Sequence, residues 1–331
     1  SKFMNNFNIK KTLFYLKNTS LRIEQIGLGR YLSRIFSLFR IPIELNHFLI
    51  RTIKVLINPI SFYKSFDNKD YCNKTKGLKI SKSSKTLFIK KEDLEGVDSL
   101  LNHCRKIYLN KKEYIKKNYL PPYFLLLNND TLDLEPSKET IQNLKPIISF
   151  ASQPLLVGLI SNYFKQIPVV ASVTLNYTEC MKEGEKPIHA QRYHRDLNDK
   201  SIFHMVIPIY DISDKNGPFT FIDVKTSKKI ISNSNHKNGR IDDAEVNKFA
   251  NKNNTTKATG KAGQAWIMNP YYSIHCGGRV KEGFRLLLIV SYAVPNLAVE
   301  CAGYLHRKKY KSEIVNDATY KIEKKLLNIY N

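Results

Sequence analysis

The chain has 331 residues, with 53 Lys plus Arg against 29 Asp plus Glu, a formal net charge of +24. At 42% hydrophobic and 11% aromatic it can bury a core of its own, which excludes wholesale disorder. Its five cysteines, Cys72, Cys104, Cys180, Cys276 and Cys301, are scattered and form no CxxC pair, which argues against a secreted disulfide scaffold and a structural zinc module and favours a reducing, cytoplasmic setting.

The basic excess is uneven. Residues 1–120 hold 25 cations and 9 acids, so two thirds of the net charge lies in the first third of the chain. Of the cations, 41 are Lys and 12 are Arg. Readers of phosphate or base edges favour the planar Arg fork, and there is no helix-turn-helix, zinc-finger or RNP-like pattern. A specific nucleic-acid partner is not expected. Richness in Lys, Asn and Ile also reads as compositional bias.

Residues 1–60 form a basic amphipathic helical segment. Leu28, Tyr31, Leu32, Ile35, Phe36 and Phe39 alternate with Arg30, Arg34 and Arg40, and Ile43, Leu45, Phe48, Leu49, Ile53 and Leu56 continue the pattern. The spacing predicts two helices. Glu44, Arg51 and Lys54 interrupt any run long enough to span a bilayer, and no signal peptide is expected. The helices either pack on the core or touch a membrane peripherally through residues 20–58.

Residues 61–165 read as a helical buttress. Within it 61–85 is a polar loop, 92–118 a helix, and 138–165 two short helices around Pro154. From residue 166 the period changes. Strands are predicted at 168–178, 201–210, 217–224, 264–269, 272–276 and 284–294. Many short strands with Gly, Pro and Asn punctuation point to an antiparallel sandwich or jelly roll. The long polar stretch 225–260 reads as a lid or flexible insertion, and 312–330, within 301–331, as a C-terminal helix.

Tyr193-His194-Arg195-Asp196-Leu197 carries the chemistry. On an extended chain residues i and i+2 face the same side, so His194 and Asp196 can share one metal. A second histidine at a strand end would complete a facial 2-His-1-carboxylate triad, the set expected of non-haem Fe(II) oxygenases. His275, in Ser273-Ile274-His275-Cys276-Gly277-Gly278, qualifies. Arg285, ten residues on, opens the last core strand, and its fork suits the distal carboxylate of 2-oxoglutarate. Arg279 competes for that role, though the two glycines before it place it in a turn.

These segments resemble the phytanoyl-CoA dioxygenase (PhyH-like) family of Fe(II)/2-oxoglutarate-dependent oxygenases. The resemblance covers about residues 165–295 and rests on Gln191 to Asp196, Asn216-Gly217-Pro218-Phe219-Thr220-Phe221-Ile222, Gly260 to Gly278, and Arg285 to Tyr292. It implies an α+β fold with a double-stranded β-helix (jelly roll) core over 166–300. It implies Fe(II) held by His194, Asp196 and His275, 2-oxoglutarate on Arg285, and O2 as co-substrate. The Lys-rich composition is compatible with a small-molecule substrate, anionic or lipid-, acyl- or glycan-linked, and selects none of them. Asn176 and Thr220 are further candidate contacts for 2-oxoglutarate, and Gln191 beside the motif is a cofactor-binding candidate. The retained Asp196 argues against the related halogenases. Where the family commonly has a Pro-Gly-Ser-His turn, this chain reads Ile222-Asp223-Val224-Lys225. Trp266 is expected in the core. His47, His103, His189, His204, His236 and His306 have no partner at ligand spacing and read as structural or surface residues.

Two rival readings exist. His194-Arg195-Asp196-Leu197 also matches the opening of a protein-kinase catalytic loop, but the position for its Asn is Ser201, and Asp214-Lys215-Asn216 stands where a DFG should be. Alternatively the fold is a non-catalytic binding module docking on a membrane or partner, which would have no need of the four site residues.

Overall fold

The structure is a computed structural model that describes residues 28–39, 41–127, 137–234 and 239–298. The expected C-terminal helix at 312–330 lies outside them, as do His236, His306 and the N-terminal stretch 1–27. The described chain opens with helices α1 (Leu28–Leu38), α2 (Ile43–Ile57), α3 (Pro59–Lys64) and α4 (Lys69–Cys72). Strand β1 (Thr86–Ile89), helix α5 (Val97–Asn118), strand β2 (Phe124–Leu125) and helices α6 (Lys138–Ala151) and α7 (Pro154–Phe164) follow. The barrel region holds β3 (Val169–Glu179), β4 (Ile202–Pro208), β5 (Thr220–Ile222), α8 (Val224–Asn233), α9 (Asp243–Asn247), β6 (Thr255–Lys257), β7 (Ala265–Met268), β8 (His275–Cys276) and β9 (Phe284–Ala293).

Two antiparallel sheets make the core. The larger runs β1-β7-β4-β9-β3-β2 and the smaller β6-β5-β8. An isolated bridge between His194 and His275 adds a fourth rung beside β8. From β3 on, counting the 194 rung and taking β5 with β6 as one hairpin, the chain passes back and forth between the two sheets, the wrapping of a double-stranded β-helix on an α+β frame.

The faces of the larger sheet divide by residue parity. Val173, Leu175 and Tyr177 of β3, Phe203, Met205 and Ile207 of β4, and Leu286, Leu288, Val290 and Tyr292 of β9 pack with α5, α6 and α7 in the largest apolar cluster. Tyr292 Oη donates to Ala151 O at 2.8 Å, tying sheet to helix. The opposite face points between the sheets. There the cluster is small, with Val206, Phe219, Phe221, Trp266, Met268 and Leu287 among its members. Trp266 is buried, as expected.

The sequence expectation and the structure part at several places. Residues 225–260 are not one loop. Asp223 caps α8, its Oδ1 accepting from Thr226 N at 2.7 Å and its Oδ2 from Thr226 Oγ1 at 3.1 Å. Ile230 and Val246 then bury with Ile222 and Ile274. Asp223 therefore starts a helix. The 61–85 loop contains α3 and α4, and neither β1 nor β2 was expected. Among the described residues no single helix is long and apolar enough to cross a membrane. Helices α6 and α7 pass that test only together, bent by 67°, and their apolar faces lie on the sheet.

Helix α2 is fastened to the barrel by an ion pair. The Asp199 carboxylate is fully buried. It accepts from Arg51 Nε at 3.1 Å and from Arg51 Nη2, from Ser201 N at 2.8 Å and from Ala298 N at 2.6 Å. Arg51→Ala strands that carboxylate and should lower stability by on the order of 3 kcal/mol, read as a drop in the urea unfolding midpoint with an unchanged slope.

Candidate metal centre

His194 and His275 sit directly opposite each other. His194 N donates to His275 O at 2.9 Å and His275 N to His194 O at 2.8 Å. Both side chains therefore leave the pair on one face, and their ring centroids lie 4.3 Å apart. Asp196, two residues along, is pinned by its own N–H to Pro270 O at 2.9 Å. Its Oδ1 lies 3.8 Å from His194 Nε2 and 3.9 Å from His275 Nε2. One atom from each residue falls within 4.8 Å of the others.

The imidazoles are held for ligation. Nδ1 of His194 is 2.8 Å from Arg192 O, and Nδ1 of His275 is 3.0 Å from Ser273 O. A carbonyl can only accept, so each Nδ1 carries the proton and each Nε2 presents a lone pair inward. Burial, and then the neighbouring His275, press the His194 pKa down to about 3. Burial also lowers that of His275, against the pull of Asp196. Burial opposes ionisation of Asp196, but the hydrogen bond from His204 and the imidazoles around it keep its carboxyl below the usual range. Near pH 7 all three side chains are in the protonation state a metal requires.

Asp196 is steered by residues the sequence reading set aside. Its Oδ2 accepts from His204 Nε2 at 3.0 Å. His204 Nδ1 is 2.9 Å from Ser291 Oγ, and Ser172 Oγ donates to Ser291 Oγ at 2.8 Å. Since Oδ2 can only accept, His204 Nε2 carries the proton, and Ser291 donates to Nδ1. The three residues come from β4, β9 and β3, aligned in one row because His204 pairs with Ser291 and Ser291 with Ser172. The chain leaves Asp196 Oδ1 as the oxygen facing the two histidines. His204 is therefore no ordinary structural histidine.

A cavity of about 320 Å³ opens beside this cluster, lined by His194, Asp196, His275, Asn176 and Arg285, with Arg30 and Arg240 also on its wall. Arg285 is 4% exposed. Its Nη1 donates to Gly217 O at 2.9 Å and its Nη2 to Thr178 Oγ1 at 3.3 Å, while Nε has no partner. Burial pulls its pKa down to about 10, which leaves it cationic. Two glycines make room for it. A Cβ at Gly277 would lie 2.9 Å from Nη1, and one at Gly278 would lie 3.2 Å from Nη2. Asn176 Oδ1 is likewise buried and unpartnered.

Arg279 is committed elsewhere. It forks onto Asp243 at 2.5 and 2.9 Å and donates from Nε to Gln191 O at 2.5 Å. Gln191 is buried but does not line the cavity; it accepts from Ile188 N at 3.0 Å and donates to Gly278 O at 2.9 Å, tying the His194 segment to the glycine turn. Thr220 also lies off the cavity, its hydroxyl donating to Pro218 O at 3.1 Å. The threonine beside the guanidinium is Thr178, directly opposite Arg285 in the sheet. Cys276 lines the cavity, but burial pushes its thiol up to about 11, so it is not a thiolate nucleophile.

The donor set fits a divalent metal, and the buried, uncompensated guanidinium fits a carboxylate. No protein-family model matches the chain, and no curated protein matches it. Distantly similar solved structures include AviO1 from Streptomyces viridochromogenes Tue57, at 14% identity over 63% of this chain and 88% of that one, with a TM-score of 0.39. EctD from S. alaskensis with 2-oxoglutarate and 5-hydroxyectoine shows 14% identity over 64% and 73%, with a TM-score of 0.42. The non-heme alpha ketoglutarate dependent carbocyclase SnoK from nogalamycin biosynthesis shows 11% over 70% and 86%, with a TM-score of 0.40. The phytanoyl-CoA dioxygenase resemblance rests on the motif residues alone.

Two outcomes follow from this geometry. Because the histidines are already neutral, Co(II) affinity should stay flat from pH 8 to pH 6 in calorimetric titration; a fall setting in at the ordinary imidazole pKa of about 6.5 would contradict the assignment. His204→Ala should weaken Co(II) binding by about 10- to 100-fold, with His204→Gln, which can still donate, recovering part of it.

Proposed function

We propose that the chain is a non-haem Fe(II)/2-oxoglutarate-dependent oxygenase of the phytanoyl-CoA dioxygenase type, hydroxylating a small-molecule, acyl or glycan-linked substrate. The observation that carries this reading is the convergence on one cavity of two neutral imidazoles, one carboxylate oxygen and a buried cation without a counter-ion. Metal ligands alone would be compatible with hydrolysis. The guanidinium asks in addition for an organic acid bound beside the metal, which a hydrolase does not need.

His194 Nε2, His275 Nε2 and Asp196 Oδ1 would hold Fe(II). When bound, the iron couples O2 to oxidative decarboxylation of 2-oxoglutarate, releasing succinate and CO2, and oxidises a C–H bond of the substrate. The protein's own part is binding and exclusion. Arg285 receives the distal carboxylate of 2-oxoglutarate through charge-assisted bonds, with the Thr178 hydroxyl alongside. Because the protein would supply only three donors, coordination positions would remain for 2-oxoglutarate and O2. Phe219, Leu287 and Ile289 make the apolar wall that keeps bulk water from the reacting centre. Asn176 offers its unpartnered amide oxygen to a donor on either bound molecule.

Anaerobic addition of Fe(II) and 2-oxoglutarate to the protein should give a weak visible charge-transfer band. His194→Ala and Asp196→Ala should abolish it together with substrate-independent succinate formation. Arg285→Ala should raise the 2-oxoglutarate concentration needed by about 100-fold while changing iron affinity little, as expected for a lost charge-assisted pair worth about 2–3 kcal/mol. An unaltered 2-oxoglutarate requirement would remove Arg285 from the site.

A further inference from the structure

Helix α2 lies on the protein with a mixed side inward that carries its polar anchors. Asn46, His47 and Ile50 are buried. Arg51 reaches Asp199 and Ser201, and Lys54 Nζ donates to Leu297 O at 2.6 Å. The outward side is apolar. Leu45 is 48% exposed, Phe48 64% and Leu56 75%, and these positions fall along one side of the helix. Ile57, Ile60, Tyr63 and Phe66 continue the surface through α3. Of thirteen exposed large hydrophobic residues among the described residues, eight lie between 39 and 66. A surface helix of a soluble protein ordinarily turns its apolar stripe to the core and its charges to water. Here Ile50 does face inward, but Leu45, Phe48 and Leu56 face water while Arg51 and Lys54 reach back to the protein, and exposed apolar residues recur from 45 to 66, as expected of a docking surface.

The charge around the patch identifies its occupant. The described residues between 28 and 79 hold nine Lys plus Arg and three Asp plus Glu. Arg51 and Lys54 turn inward, and the exposed charges of this set are Arg34, Lys64, Lys69, Lys74, Lys76 and Lys79 against Glu44, Asp67 and Asp70, still a basic excess. An apolar protein partner would have no use for the basic excess, and a polyanion would have no use for Phe48 and Leu56. An anionic bilayer uses both, taking the apolar side chains below the headgroups and the cations at the phosphate level.

We propose that the outer face of α2 and α3 docks the protein peripherally on an anionic lipid bilayer. The docking layer is continuous with the cavity wall. Helix α1 packs on α2 through Asn46 Nδ2, 3.4 Å from Ser33 O, and carries Arg30 into the cavity. Docking of this kind is independent of the metal chemistry.

The test uses the full chain and vesicle flotation. Vesicles of phosphatidylcholine containing about one third phosphatidylserine should bind at least about tenfold more tightly than phosphatidylcholine alone. Phe48→Asp with Leu56→Asp should lower that binding by about tenfold or more at an unchanged melting temperature, since both side chains are exposed. Phe48→Trp gives a reading that does not depend on the double variant folding. Its emission should shift to the blue on anionic vesicles and be quenched by brominated acyl chains, against the buried Trp266. Absence of vesicle binding, equal binding to neutral and anionic vesicles, an undiminished double variant, or an unshifted Trp emission would each overturn the proposal. So would a concentration-dependent dimer abolished by the double variant, because a second copy would then own the face.

Discussion

Residues 194 and 275 exchange both of their backbone hydrogen bonds, and the candidate centre depends on that exchange. It is a single rung, joining β8 to a residue outside the regular strands. Yet a mutually bonded antiparallel pair fixes two things at once: the separation of the two Cα atoms and the common face of their side chains. The imidazoles are thereby side by side before any metal is considered. Asp196 follows from period-two geometry, and the Arg192 and Ser273 carbonyls set which nitrogen of each ring looks inward. Were the register to slip by one residue, both rings would turn away from the cavity.

The second constraint is electrostatic. A buried cation without a carboxylate is expensive to fold, and a chain selected for stability alone would have paired Arg285 or replaced it. The surroundings instead make room for it. Gly217 gives a carbonyl, Gly277 gives space, and Thr178 gives a hydroxyl. None of these neutralises it, and Nε remains unpartnered. Local arrangements that oppose stability in this way concentrate at functional sites. The same cavity holds His194 and His275 neutral by burial and Asp196 ionised by His204. One pocket thus offers a lone-pair cluster at one place and a fixed positive charge at another.

What the sequence disclosed was what lies close along the chain. His194 and Asp196 are two residues apart, His275 and Arg285 flank one turn, and extended spacing is enough to predict their direction. The jelly-roll core was legible in its strand periodicity for the same reason. His204, Ser291 and Ser172 were not legible, because they meet only through the pairing of β4, β9 and β3; strand register is non-local and no spacing encodes it. Thr178 rather than Thr220 stands beside Arg285 on the same account. The polar composition of 225–260 hid α8, whose start is signalled only by Asp223 as a cap. In α2 the apolar spacing was plain, but spacing says only that a helix has two unlike sides, not which of them faces the core.

The division of labour between the faces of the large sheet explains how this fold tolerates such an interior. Burial that stabilises the chain is concentrated on the helix-covered side, where β3, β4 and β9 meet α5, α6 and α7. The side between the sheets has a much smaller apolar cluster. It carries Ser172, Asn176, His204, Arg285 and Ser291, polar residues that a main core could not accommodate without partners. Because parity sends alternate residues of each strand to opposite faces, every strand contributes to both. Leu286, Leu288 and Val290 hold β9 to the helices while Arg285 and Ser291, on the same strand, face the cavity. The apolar face fixes the strand positions, and the strand positions fix where the polar side chains converge. A site of unpaired charge and open lone pairs is thus held rigid by packing in which its own residues take no part.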